Sequence, residues 1–262
     1  MRGQSRMNLF KATAVMVAMT SCGSQVLSQA SRLEEETYLA AAVAPDLIQY
    51  SLFEVASREH IEIIPDAGVE LRITRGQPKV NNGIRAELSI DYPFVENDTI
   101  RYEWQLWVPA DFQPDPQNRW WVFADWHDQP NRTLGETWDA FPSHSAPLIV
   151  GYGHVEGGQV VGGFSVPNSS DVLTITYGTD YRPLGMFAFN REETTTIRLD
   201  VTWSQTERGK MKAWVNGVER VSATGPNMLN AFQHYFKAGM YRNPEIDTAN
   251  RVRLSNVKIT KL

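Results

Sequence analysis

Three short segments carry side chains that could act together as fixed charge, base and acid. They are Ile84 to Ile90 (IRAELSI), Trp121 to His127 (WVFADWH) and Tyr235 to Asn243 (YFKAGMYRN). Each is short, rich in β-branched or aromatic residues and flanked by turn residues, so each is expected to be a strand. A strand sends alternate side chains to opposite faces. On that rule Arg85, Glu87 and Ser89 share one face of the first segment, and Ile84, Ala86, Leu88 and Ile90 the other. In the second, Trp121, Phe123, Asp125 and His127 share a face, opposite Val122, Ala124 and Trp126. In the third, Tyr235, Lys237, Gly239, Tyr241 and Asn243 alternate with Phe236, Ala238, Met240 and Arg242. A positioned Arg offsets growing negative charge, and His or Tyr can take or give a proton. Taken singly, each segment also has a plainer reading. A polar strand face is normally just solvated, an Arg-x-Glu pair is ordinarily a surface ion pair, and a His beside a Trp is ordinarily a packed or exposed ring.

The elements that would position these residues are mostly β. Further β-prone segments are Glu70 to Thr74, Thr99 to Val108, Leu148 to Tyr152, Val172 to Tyr177, Thr195 to Trp203, Lys210 to Val215, Val218 to Val221 and Val252 to Ile259. Asn216-Gly217 between two of them is a strong hairpin signal. Many short strands without long helical periodicity imply a sandwich or barrel. An all-β jelly-roll sandwich is favoured, because one face of it can curve into a concave substrate groove.

The chain has 262 residues, 42% hydrophobic and 21% charged, with a net charge of −5. This is ordinary globular composition, unlike a mostly disordered, collagenous or multi-span membrane chain. The acidic balance disfavours nucleic acid as a partner. At the front, Arg2, Arg6 and Lys11 precede a mostly apolar run from Ala12 to Met19 that is too short to span a bilayer. Small residues then lead to Cys22, the only cysteine. Residues 1–21 therefore read as a lipoprotein signal peptide, with Cys22 lipidated after cleavage. The alternative is a plain signal peptide with an incidental Cys. Either places the mature protein outside the cytoplasm, in a bacterial cell envelope or secreted, with membrane contact only through the lipid at Cys22. Residues 22–45 read as a tether, in which Ser31 to Ala42 is helix-forming, and 46–262 as one domain. The Asn-x-Ser/Thr triplets at Asn97, Asn131 and Asn168 are then incidental.

The three segments, in this order, resemble those of jelly-roll alginate lyases. That family has an Arg-x-Glu-Leu strand, a Gln-(Ile/Val)-His strand and a Tyr-Phe-Lys-Ala-Gly-(Val/Ile)-Tyr-Asn-Gln strand. The matching residues are Arg85-Ala86-Glu87-Leu88, Asp125-Trp126-His127 and Tyr235 to Asn243. The chain looks closer still to heparin-lyase-like and glucuronan-lyase-like proteins, through Trp126-His127, the hairpin from Gly209 to Gly217, and Gly225-Pro226-Asn227. The likeness spans roughly residues 70–260. It departs from the alginate-lyase pattern at Asp125, where the family has Gln, and at Arg242-Asn243, where it has Asn-Gln.

The resemblance implies β-elimination on a uronic-acid polysaccharide, an acidic polymer that would be the principal partner of a monomeric protein. Arg85 would offset the charge growing on the substrate carboxylate, helped by Asn81 or Gln105. His127 or Tyr241 would be the base, and Tyr241 suits the acid. Asp125, Lys237, Tyr235, Glu87 and Asn243 would bind substrate. Asp125 could orient His127, pair with Arg85, or sit protonated beside the substrate carboxylate. No cofactor is required by this chemistry and no metal motif stands out, although a structural Ca2+ at a loop, as in some relatives, is left open. The run Gly151 to Gly163 reads as a lid or as a flexible hairpin. His144 and His154 could reach a site from such loops, and Trp107, Trp120, Trp121 and Trp138 are candidates for stacking on sugars, at least two of them being expected in the core. The competing function is a non-catalytic carbohydrate-binding lipoprotein on the same fold. A glycoside hydrolase is disfavoured, because no strand supplies paired carboxylates.

Overall fold

The computed structural model describes residues 34–157, 160–161, 163–165, 168 and 170–262. The expected signal peptide and Cys22 lie outside the described residues, as does part of the glycine-rich run. Residues 34–43 are helical, and the chain divides into two compact units between Leu39 and Ala40. The second unit reaches upstream of Asp46, where the domain was expected to start. Ala40, Val43, Ala44 and Leu47 recur at helical spacing and are buried, so this stripe packs as part of the unit.

The second unit is a β-sandwich. Its chain begins with β1 (Ser51–Glu54), β2 (Ile61–Ile64), β3 (Gly68–Ile73) and β4 (Ile84–Ile90). There follow β5 (Thr99–Trp107), β6 (Trp121–His127), β7 (Leu148–Val155) and the small pair β8 (Val160–Val161) and β9 (Phe164–Ser165). The remainder is β10 (Ser170–Tyr177), β11 (Arg182–Phe189), β12 (Thr194–Thr202), β13 (Lys210–Val215), β14 (Val218–Thr224), β15 (Tyr235–Arg242) and β16 (Asn250–Lys261). One seven-stranded sheet runs β1-β4-β15-β6-β7-β10-β11, and the other runs β14-β13-β12-β5-β16-β3-β2. The pairings are antiparallel. This is the expected all-β jelly-roll sandwich.

Alternation along β5 explains the core. Ile100, Tyr102, Trp104 and Leu106 are buried, while the residues between them are only half-buried. From the other sheet, Trp126 meets the rings of Tyr102 and Trp104 at 5.2 and 6.0 Å, and Phe236 meets the same two at 5.5 and 5.4 Å. Each such ring contributes about 1.5–3 kcal/mol on burial. This packing fixes the inner faces of β6 and β15, and with them the residues on their outer faces. The β13–β14 hairpin turns at Asn216 and Gly217, both at positive φ (51° and 76°), as a two-residue hairpin turn requires.

Candidate active site

β15 lies between β4 and β6, so the three segments singled out from the sequence are neighbours in one sheet. Tyr241 pairs with Arg85 and Gly239 with Glu87 on one side, while Lys237 pairs with Asp125 and Tyr235 with His127 on the other. Phe236, Ala238 and Met240 are buried toward the core. Parity therefore sends Tyr235, Lys237 and Tyr241 to the opposite face. Gly239 is required where it stands: its φ is +143°, and a Cβ there would lie 2.4 Å from the Ala86 carbonyl oxygen. The glycine lets β15 close against β4.

Strict alternation fails on β6. Trp121 and Phe123 were expected beside Asp125 and His127, but they pack into the core against Phe112 and Tyr152. Trp126 is also in the core. The register slips around Phe123, between Val122 and Ala124 against β7 and between Ala238 and Tyr241 against β15. A bulge of this kind reverses the parity of everything beyond it. Asp125 and His127 keep the site face, and the two aromatic residues leave it.

A buried charge cluster forms the middle of the site. The Lys237 ammonium is 2.7 Å from Glu54 Oε1 and 4.0 Å from Glu87 Oε2. Arg85 Nη1 donates to Glu54 Oε2 at 3.2 Å and to Glu87 Oε2 at 3.3 Å. Burial raises the Glu54 pKa, but the charge and hydrogen bond of Lys237, with Asn81 and Arg85, outweigh it and hold the group below the usual carboxylate range. Glu87 is the opposite case. It has no exposed surface, and burial pushes it up to about 8 against the pull of Lys237 and Arg85. Burial also raises Asp125, against Lys237, His127 and Arg85. Glu87 Oε1 and Asp125 Oδ1 are buried without a hydrogen-bond partner, which suits a carboxyl that keeps its proton. With Glu87 neutral, Arg85, Lys237 and Glu54 leave one net positive charge. Each further carboxylate that ionised would cancel it.

At one end, the Arg85 guanidinium carbon sits 4.2 Å from the centroid of the Tyr241 ring. Trp120 meets the same ring edge-on at 4.9 Å. Gly83 makes this closeness attainable: a Cβ there would lie 2.5 Å from Tyr241 Cε2 and 2.7 Å from Arg85 Nη2.

At the other end, His127 stacks on Tyr235 at 5.9 Å. Its Nδ1 lies 2.9 Å from the Asp128 carbonyl oxygen and 2.8 Å from Asp128 Oδ1, and its Nε2 is 3.0 Å from the His144 carbonyl oxygen. Both ring nitrogens therefore face acceptors, and both must donate. Burial opposes the resulting charge, but the bonds to Asp128 override it and raise His127 to about 9. An imidazolium of this kind holds no lone pair for a proton. It is Asp128, not Asp125, that orients His127, and Asp128 also accepts from His144 Nδ1 at 3.0 Å. Burial raises the Tyr235 pKa, as do Asp125 and Glu54, so its hydroxyl keeps its proton.

Other expected residues lie elsewhere. Gln105 is on the second sheet, accepting from Ser255 and Asn256, so it cannot assist Arg85. Asn81 does reach the cluster, donating to Glu54 Oε2 at 2.9 Å. Asn243 caps a turn, its Oδ1 accepting from the Glu245 N–H. His154 belongs to a separate group with Asp171, which also holds Arg191 and Tyr152. Gly151 to Val155 of the supposed lid are part of β7. Two residues the sequence did not reveal are Asp128, beside His127, and Glu54, at the end of a four-residue strand too short to show a pattern. Among the described residues, no group of three or more His, Cys, Asp or Glu side chains is arranged to hold a metal ion.

The model of a family described as polysaccharide lyase matches residues 62–257, and the chain belongs to that family. It is thus a polysaccharide lyase. No curated protein matches it. Solved structures with the same fold include an endo-β-1,4-glucuronan lyase from the fungus Trichoderma reesei, 12% identical with a TM-score of 0.53 over 77% of this chain and 87% of that one. The alginate lyase Aly36B is 8% identical, with a TM-score of 0.52 over 79% and 85%. A variant of alginate lyase A1-II′ is 11% identical, with a TM-score of 0.55 over 84% and 100%.

Proposed function

We propose that this protein is an exported lyase that cleaves a uronic-acid-containing polysaccharide by β-elimination. The observation that carries the reading is Tyr241 held beneath Arg85, at one end of a buried cluster with net positive charge. The reaction removes the C5 proton beside the uronate carboxylate. The C4–O4 bond breaks, a C4=C5 double bond forms, and the departing O4 gains a proton. Arg85, with Lys237 and the neutral Glu87 carboxyl, receives the substrate carboxylate and offsets the charge that grows on it. Positioned donors of this kind are worth roughly 10²–10³ each in rate. Tyr241 carries the proton: its phenolate takes it from C5, and the resulting phenol passes it to O4. His127 is not the base in this account, because both of its nitrogens already donate. It adds fixed positive charge near Tyr235. The glucuronan and alginate substrates named for the structural neighbours support a carboxylated polymer for this chain too.

Export rests on the leader sequence: residues 1–21 removed and Cys22 lipidated, with the residues from Cys22 up to the packed stripe at Ala40 linking the anchor to the domain of a monomer at a bacterial envelope. Mass spectrometry of the mature N-terminus tests this, and an unmodified Met1 or a cleavage elsewhere would overturn it. The activity is tested by incubating the protein with a panel of uronate polymers and following ultraviolet absorbance of the unsaturated product. Absorbance should rise with at least one polymer. Chain shortening without that absorbance would overturn elimination in favour of hydrolysis.

A further inference from the structure

The eight tryptophans sort into three groups. Trp104, Trp121, Trp126 and Trp203 are buried in the core. Trp107 and Trp214, on the second sheet, are covered by arginines, with Arg253 4.0 Å and Arg198 3.6 Å from their ring centroids. That leaves Trp120 and Trp138, which are 46% and 49% exposed. A single exposed aromatic needs no explanation. These two differ because each is braced by a tyrosine of β15 on the site face, and the tyrosines stand at opposite ends of that strand. Trp120 meets Tyr241 at 4.9 Å with an interplanar angle of 68°, and Trp138 meets Tyr235 at 6.3 Å and 71°. Edge-to-face contact holds the indole in place while leaving its faces free. The Trp120 backbone is pinned by the Asn243 N–H, which donates to its carbonyl at 3.1 Å. Trp138 is further packed edge-on by Phe141 at 5.6 Å.

From Tyr235 to Tyr241 the strand advances on the order of 20 Å, at about 3.4 Å per residue, the length of a few linked pyranose rings. Between the two ends lie Lys237, Asp125 and Arg85. An extended acidic polysaccharide matches that surface in charge at its middle and in apolar character at its ends, since one face of a pyranose ring is largely C–H.

We propose that Trp120 and Trp138 are the two end platforms of one sugar-binding track, Trp120 stacking beside the ring that reacts at Tyr241 and Trp138 stacking on a ring several units away. This rests on the lyase reading and adds to it which residues set the chain length the site prefers. Trp138 is a binding residue that takes no part in the chemistry, so its loss should be felt only by substrates long enough to reach it.

The test measures steady-state elimination by Trp120→Ala and Trp138→Ala on a uronate polymer and on a size ladder of its oligosaccharides. With Trp138→Ala, KM on the polymer should rise about tenfold with kcat within about twofold, whereas the shortest cleaved oligosaccharide should be handled as by the parent. Trp120→Ala should impair all lengths. Trp138→Tyr should restore most of the loss, and thermal unfolding should be unchanged in the Trp138 variants. A parent-like KM on polymer in Trp138→Ala, or an equal loss at every length, would overturn the proposal while leaving the lyase reading intact. Should the parent cleave none of the polymers, the lyase reading falls. Retention in gels cast with those polymers then decides the platforms: loss of retention in Trp138→Ala supports them, and unchanged retention or no retention of the parent refutes them.

Discussion

The Arg85 guanidinium lies over the ring of Tyr241, 4.2 Å from its centroid, and Gly83 is the residue that gives the two room. In the proposed reaction the pair joins a fixed positive charge to the proton carrier, the two things that elimination beside a carboxylate needs. Because a Cβ on Gly83 would intrude on both side chains at once, Gly83→Ala should lower kcat on the order of 10²-fold, the scale of a small misplacement of reacting groups. Its unfolding temperature should change little. Steady-state kinetics beside a thermal melt check this, and parent kinetics in the variant would show that the contact does not matter.

Glu87 should set an alkaline limit. Its ordinary pKa is 4.5, and burial raises it to about 8 in the folded chain. Between those values the unfolded chain has released a proton that native Glu87 retains, so native stability falls as pH rises across that window. Above about 8 the native group ionises too and cancels the net positive charge proposed to receive the substrate. KM for a uronate polymer should therefore begin to climb near pH 8 in the parent, and in Glu87→Gln only nearer pH 9, where His127 loses its charge. The same climb in both proteins would mean that another group is responsible.

His127 should titrate late. Burial disfavours its charge, but Asp128 raises it to about 9 from an ordinary 6.5. The stability this pair supplies is fully present below about 6.5 and is lost as pH rises through about 9. In Asp128→Asn the imidazole should titrate at least one unit lower by NMR, because the remaining backbone acceptor carries no charge. An unchanged midpoint would remove Asp128 from its orienting role.

Much of this was legible in the sequence, for identifiable reasons. Alternation along IRAELSI and YFKAGMYRN gave the correct faces of Arg85, Glu87, Lys237 and Tyr241, because β4 and β15 pair in unbroken register. The same rule misplaced Trp121 and Phe123, because a bulge is a property of the ladder and leaves no mark in the residue order. Glu54 was invisible for a different reason: four residues, SLFE, carry too little periodicity to announce a strand. Motif resemblance placed His127 among the candidates for the base. Only the neighbouring oxygens of Asp128 and His144 show that both its nitrogens are engaged. Exposure separated Trp120 and Trp138 from tryptophans whose sequence surroundings look much the same.

The most direct test of the account is the rate of unsaturated product formation by Tyr241→Phe, on a uronate polymer that the parent cleaves. Loss of the phenolic oxygen removes the group proposed to move the proton but keeps the ring under Arg85. Activity should fall by about 10²–10⁴-fold, the usual worth of a positioned acid or base, with KM and the unfolding temperature close to those of the parent. A Tyr241→Phe variant that forms product at the parent rate would contradict the account.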